Sequence, residues 1–229
     1  MNSIKKLNQN KDYLKERMEF YYLLNNENLS LAESDGENYL IGQGDKKYPI
    51  WLWNKDNLSK EKWEEIKKLL KEEYHLEEEN ILICKKECYE ELAKAFQISN
   101  CYEMGYLACE KLKFCKETPG IFAKANYGDK IVLAKLWQSF LEEIEKETVE
   151  LNECLEEVTE LLKKDCFYVW KDYQGKVISM ASYSVEKDVA KISHVYTRKE
   201  ERNKGYCTSL IYHLTKKLLE ENLQPMLYT

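Results

Sequence analysis

The chain has 229 residues, 44% of them apolar and 33% charged, enough to bury one large core or two modest ones. Its formal net charge of −6 and sequence pI near 5.4 argue against general nucleic-acid binding, and an acidic surface is compatible with a cationic amine substrate. No apolar run approaches the roughly 20 residues that span a bilayer, and the start, Met1 to Lys6, lacks the apolar segment of a signal peptide. The expectation is a cytoplasmic protein with no membrane partner.

In chain order, Tyr13, Leu14, Met18, Tyr21, Tyr22 and Leu24 recur at helical spacing, so the sequence predicts a helix from Lys11 to about Leu24. Asn38 to Gly42 and Tyr48 to Trp53 read as two strands joined by the polar turn Gly44 to Lys47, with Pro49 at a strand start or edge. Trp51 and Trp53 share one face, where packing into a core is the simplest role for them. Ser59 is placed to cap a helix that carries Trp63, Ile66, Leu69 and Leu70. Asn80 to Cys84 reads as a buried strand and Glu87 to Phe96 as a helix. A domain boundary is expected at Lys116 to Gly120, giving a smaller α/β domain over 1–116 and a second domain over 117–229.

In the second half, Ile131 to Ala134 reads as a strand that opens the new unit, and Leu136, Trp137, Phe140, Leu141 and Ile144 as a helix. A further helix follows from about Leu151 to Leu162. Phe167 to Trp170 and Val177 to Val185 are strands joined by the turn Asp172 to Gly175, and Val189 to Thr197 is the next strand. Eight cysteines and three histidines form no pair of short C-x-x-C knuckles and no histidine cluster, so reduced, mostly buried thiols and no metal are expected.

The stretch Ile192 to Leu223 carries the chemistry. The alternation of Ile192, His194 and Tyr196 against Ser193, Val195 and Thr197 makes a strand. A charged run from Arg198 to Lys204 breaks the alternation, and Cys207, Leu210, Ile211, Leu214 and Leu218 then form one apolar stripe of a helix that starts close to Gly205. A helix start leaves backbone N–H groups without intrahelical partners at the positive end of the macrodipole, which makes an anion site. Gly205 lets a phosphate approach the backbone. Arg202 and Lys204 add positive charge, and the Thr208 hydroxyl a donor. The expected ligand is a diphosphate. A charge run is equally what a solvated connection looks like, and the surrounding strand, helix and strand are what favour the anion site.

Arg202-Asn203-Lys204-Gly205-Tyr206-Cys207, preceded by Val195-Tyr196-Thr197, resembles the acyl-CoA-binding signature of the GNAT superfamily of N-acyltransferases, whose loop reads Arg or Gln, x, x, Gly, x, Gly or Ala. Cys207 departs from the pattern but is small enough for the same helix packing. The resemblance covers about Ile121 to Thr229 and implies an α/β (α+β) fold with a mixed, mostly antiparallel sheet flanked by helices. Residues 1–115 resemble, more faintly, the degenerate GNAT-like domain that precedes the catalytic domain in some two-domain acetyltransferases; a plain structural or dimerisation domain reads equally well there.

What the resemblance implies is direct transfer of an acetyl group from acetyl-CoA, as co-substrate, to a primary amine. The strand around Val195, Tyr196 and Thr197 would offer backbone groups to the pantetheine arm, and N–H groups from Asn203 to Thr208 would hold the pyrophosphate. Holding the reactants in line supplies much of the rate. His194 is the candidate base, with Glu186 and Asp188 as further candidates; His213, in mid-helix, reads as structural. The family continues beyond the last strand, here Pro225 to Thr229, so either the sequence is a shortened form or another segment or subunit, for instance in a homodimer, is expected to complete the sheet, and without completion transferase activity is expected to be weakened or absent. An acyl-CoA-binding sensor and a non-catalytic interaction protein are the other readings.

Overall fold

In a computed structural model of the protein, residues 31–46, 48–76, 80–116, 118–145 and 148–229 are described. The helix expected over Lys11 to Leu24 lies outside them. Two compact units divide between Met104 and Gly105, ahead of the boundary expected at Lys116 to Gly120.

The first unit contains β1 (Leu31–Ser34), β2 (Tyr39–Gln43), β3 (Ile50–Asn54), helix α1 (Lys60–Glu72), β4 (Leu82–Ile83) and the short α2 (Tyr89–Ala93). Its sheet has the order β1-β2-β3-β4. The first two pairings are antiparallel and β3 runs parallel to β4, as expected where a helix crosses over between them. Ser59 caps α1, its side chain accepting the N–H of Lys62 at 3.3 Å. Ile66 and Leu70 then pack on Tyr39, Ile41, Ile50 and Leu52 from the sheet. Trp53 is buried, as expected, and Trp51 half-buried. The helix expected over Glu87 to Phe96 is shorter, a 3-10 turn at Lys86–Cys88 leading into α2.

The second unit contains β5 (Tyr106–Ala108), β6 (Ile121–Lys124), α3 (Lys130–Phe140), α4 (Leu151–Lys163), β7 (Phe167–Lys171), β8 (Val177–Glu186), β9 (Val189–Thr197), α5 (Tyr206–Glu220) and β10 (Gln224–Tyr228). Six strands follow the order β5-β10-β9-β8-β7-β6. Only the β9–β10 pairing is parallel, which gives the mixed, mostly antiparallel sheet expected. One face is covered by α3 and α4, with Leu133, Trp137, Phe140, Cys154 and Val158 packed on Phe167, Val169, Val177, Met180 and Tyr196. The other is covered by α5, whose Leu210, Leu214 and Leu218 meet Tyr168, Trp170, Ala181, Ala190 and Ile192.

Ile131 to Ala134 is helical rather than a strand, and the opening strand is β6. The reason is local. Asn126 and Asp129 form a capping box, Asn126 Oδ1 accepting the N–H of Gly128 at 2.8 Å and Asp129 Oδ2 that of Asn126 at 3.1 Å, and this starts a helix. Burial of Leu133, Ala134, Leu136, Trp137 and Phe140 then follows a helical face, against which the β-branched Ile131 and Val132 have little weight. The outer edge of β10 is paired by β5, with Gly105 and Thr229 exchanging backbone hydrogen bonds at 2.8 and 2.9 Å. Another segment of the same chain therefore lies on that edge.

The order strand, strand, strand, helix, strand, with two antiparallel pairings followed by a parallel one, occurs twice: β1-β2-β3-α1-β4 and β7-β8-β9-α5-β10. No helix among the described residues is long and apolar enough to cross a membrane.

Candidate functional site

The site is built at the end of β9. Along β8 and β9, Ser182 pairs with Ser193 and Met180 with Tyr196, so two steps on β8 face three on β9. The extra residue makes a β-bulge, and His194 within it has a φ of 53°, left-handed backbone that non-glycine residues adopt infrequently. On its other side β9 pairs with β10 only over Val189 to Lys191, opposite Gln224 to Met226. Beyond that the pairing of the two strands is not continued, while β10 stays paired with β5 on its other edge. From Ile192 onward no strand among the described residues pairs with that edge of β9, and this unpaired edge beside the bulge is the candidate slot.

The side chains of Val195, Tyr196 and Thr197 turn inward. Val195 packs on the α5 side. Tyr196 is buried on the α3 side, and the Thr197 hydroxyl shares a hydrogen bond with that of Ser179 at 2.8 Å. These three residues therefore present their backbone, rather than their side chains, to the slot.

After β9 the chain is held to the sheet by Arg198, whose Nε donates to the carbonyl of Val177 at 2.7 Å. A 3-10 turn, Lys199–Glu201, follows, and two left-handed residues, Asn203 at φ 60° and Gly205 at φ 85°, deliver the chain into α5 with Gly205 as N-cap. The first N–H groups of α5, on Tyr206, Cys207 and Thr208, have no intrahelical carbonyl to bond. Asn203, Lys204, Gly205 and Thr208 are exposed, with Tyr206 and Cys207 half-buried. Burial pushes the Cys207 thiol above its ordinary pKa, so it stays protonated at neutral pH.

The two expected cations are engaged within the protein. Lys204 Nζ lies 2.9 Å from Glu201 Oε2. Lys204 and Lys176 together hold the Glu201 carboxyl down at about 2. Arg202 donates to the carbonyl of Thr197 through Nε at 3.1 Å and to both carboxylate oxygens of Glu143, one of them at 2.9 Å. Glu143 also accepts the Tyr196 hydroxyl at 3.1 Å. Its pKa is held down at about 2, with Arg202 the largest cause.

His194 lies against Trp137 and Phe140, with ring centroids 4.2 and 5.8 Å apart, and its Nδ1 is 2.7 Å from Ser182 Oγ. Burial, with a smaller contribution from Lys191, brings its pKa down to about 4. The imidazole is therefore neutral at pH 7 and a weak base. Glu186 and Asp188 sit at the hairpin end of β8 and β9, about 13 and about 20 Å along the strands from the bulge, too far for either to take a proton there. His213 stacks on Phe122 at 5.4 Å within α5, as a structural residue does. Sequence reasoning missed Glu143 and Ser182, whose contacts join segments apart in the chain and leave no local pattern.

Residues 130–229 match the family described as Acetyltransferase (GNAT) family. The matched residues make up less than half of the chain. The bulge and the start of α5 lie within the matched residues. Among solved structures, a possible acetyltransferase from Clostridium difficile 630 is similar at 23% identity and a TM-score of 0.40 over 47% of this chain and 76% of that one. The N-acetylglutamate synthase of Neisseria gonorrhoeae is similar at 21% identity and a TM-score of 0.38 over 47% of this chain and 24% of that one. A GNAT family acetyltransferase from Brucella melitensis gives 15% identity and a TM-score of 0.38 over 47% of this chain and 73% of that one. No curated protein matches the chain.

Proposed function

We propose that the second unit binds acetyl-CoA and transfers its acetyl group to a primary amine by direct attack. The observation that carries this reading is the parting of β9 and β10 beside the His194 bulge, with the start of α5 immediately beyond it. An extended pantetheine arm would lie along the free edge of β9 and hydrogen-bond to its backbone as an added strand does. The diphosphate would sit on the N–H groups of Tyr206, Cys207 and Thr208, at the positive end of the helix. The thioester would then lie by the bulge, where an amine entering the slot is held for in-line attack. The amine must arrive uncharged. With a pKa near 4, His194 is suited to orient groups as a neutral imidazole rather than to remove that proton, which leaves solvent as the acceptor.

Calorimetric titration of acetyl-CoA into the chain tests the reading, with Thr208→Glu as the variant. Thr208 is in the first turn of α5 and exposed. A glutamate there favours the helix through the macrodipole but repels a diphosphate. Binding by the parent, lost in a variant with an unchanged melting midpoint, supports the site. A parent that takes up no acetyl-CoA overturns it in favour of an interaction protein.

The first unit reads as a degenerate GNAT-like repeat without an acyl-CoA site. Its strand and helix order matches that of the second unit, but the loop before α1, Lys55 to Ser59, has no glycine. The start of α1 is capped by its own Ser59, which leaves that helix end less open to an anion than the start of α5.

A further inference from the structure

The first residue of the acyl-CoA loop turns its charge away from the ligand site. All three guanidinium nitrogens of Arg202 are hydrogen-bonded within the protein, Nε to the carbonyl of Thr197 and the other two to the carboxylate of Glu143. The guanidinium also lies 5.1 Å from the ring centroid of Tyr196. Glu143 belongs to the π-helical turn Leu141–Glu145 that ends α3, a rare geometry that occurs often at functional sites. Its carboxylate gathers Arg202, the Tyr196 hydroxyl and Lys199, the last at 3.4 Å. One side chain from the end of α3 thus ties together the end of β9, the 3-10 turn and the start of the loop.

We infer that Glu143 is a positioning residue for coenzyme binding, acting through Arg202. The inference rests on the acyl-CoA reading of the loop. A planar, two-pronged contact fixes both the place and the tilt of Arg202. Arg202 stands directly before Asn203, and the left-handed turns at Asn203 and Gly205 aim the N–H groups of α5. The guanidinium charge is neutralised by Glu143, so its contribution to binding a diphosphate is geometric: it holds the backbone donors in place before the ligand arrives, which removes an ordering cost from binding.

Four chains are titrated with CoA: the parent, Glu143→Gln, Arg202→Lys and the pair combined. Glu143→Gln is expected to weaken binding about five- to tenfold. Arg202→Lys keeps the charge but loses the planar fork, and is expected to weaken binding by a similar factor. In the Arg202→Lys background the change at Glu143 should then have almost no further effect, whereas a general loosening of α3 would weaken binding again. Melting of each chain without CoA shows that it is folded. If both single variants bind CoA as the parent does, the inference falls while the acyl-CoA reading stands. If the Glu143 change costs as much in the Arg202→Lys background as in the parent, its effect does not pass through Arg202 and the inference also falls. A parent that binds no CoA overturns both.

Discussion

Thr118 donates its backbone N–H to the side-chain oxygen of Ser209 at 2.9 Å across 91 residues of sequence, and its hydroxyl donates to the carbonyl of Lys204 at 3.1 Å. The segment before β6 is thereby stitched to the start of α5. A Cβ at Gly205 would come within 2.5 Å of the Thr118 hydroxyl oxygen, and Gly205 has a φ of 85°. Two independent causes therefore demand glycine, and neither involves a ligand.

Gly205→Ala is expected to destabilise the unit by roughly 1–3 kcal/mol through the left-handed backbone and the contact together. Combining it with Thr118→Ala should recover the steric part but not the backbone part. Urea unfolding of the two variants measures both. Equal stability of the single variant and the parent would show that neither constraint operates.

A second prediction concerns the start of α3. Asp129 is buried at 8% relative exposure, accepts the N–H of Asn126 and lies 2.6 Å from Lys171 Nζ on β7. Asp129→Ala removes part of the capping box and strands a largely buried ammonium group, which together should lower stability by about 3 kcal/mol. Lys171→Met on top of it removes the stranded charge, and should restore part of the loss if the ammonium is the larger cause. Chemical denaturation of the single and double variants separates the two contributions.

The strand, loop and helix of the site were legible because each carries its own period. β9 alternates, α5 has an apolar stripe, and Gly205 interrupts a charged run between them. What determines the direction of the charges was not legible. Arg202 and Lys204 look like free cations along the chain, and only folding brings Glu143 to the first, from 59 residues away, while Glu201 reaches the second across a single turn. The bulge at His194 was equally hidden, since it is defined by the register of β8 against β9. β6 and β5 are too short for their alternation to stand out, and Ile131 and Val132 resemble a strand until the capping box ahead of them is considered. Of eight cysteines, Cys88, Cys154 and Cys166 are buried, Cys101 is exposed and the rest are half-buried, so burial is less general than the sequence reading expected.

The β5–β10 pairing gives a third prediction. Cys109 donates its N–H to the carbonyl of Pro225 at 3.1 Å, continuing the ladder from Gly105 at the other end of β5. Cys109→Pro removes that donor and should loosen the short strand. In hydrogen exchange, the amides of Gly105, Leu107, Leu227 and Thr229 should exchange faster than in the parent, while those of β7 and β8 keep their protection. Uniform acceleration across the sheet would instead mean that β5 is integral to the core of the unit.

His194 supplies the last prediction. Burial lowers its pKa from 6.5 to about 4, so the unfolded chain takes up a proton in a range where the folded chain does not. The contribution is fully present above about pH 6.5 and is lost as the pH falls toward 4, amounting to at most about 3 kcal/mol. Carboxylates give a later and separate loss: Glu143 and Glu201, both held down at about 2, begin to weaken the fold only below about pH 4.5. His194→Asn suits the positive φ of the bulge and removes the titrating ring, so its stability should be flat between pH 6.5 and 5 where that of the parent declines. Urea midpoints at half-unit steps of pH measure the difference. Parallel curves for the two chains would mean that the imidazole is protonated in the folded state, and would reopen its role as a base.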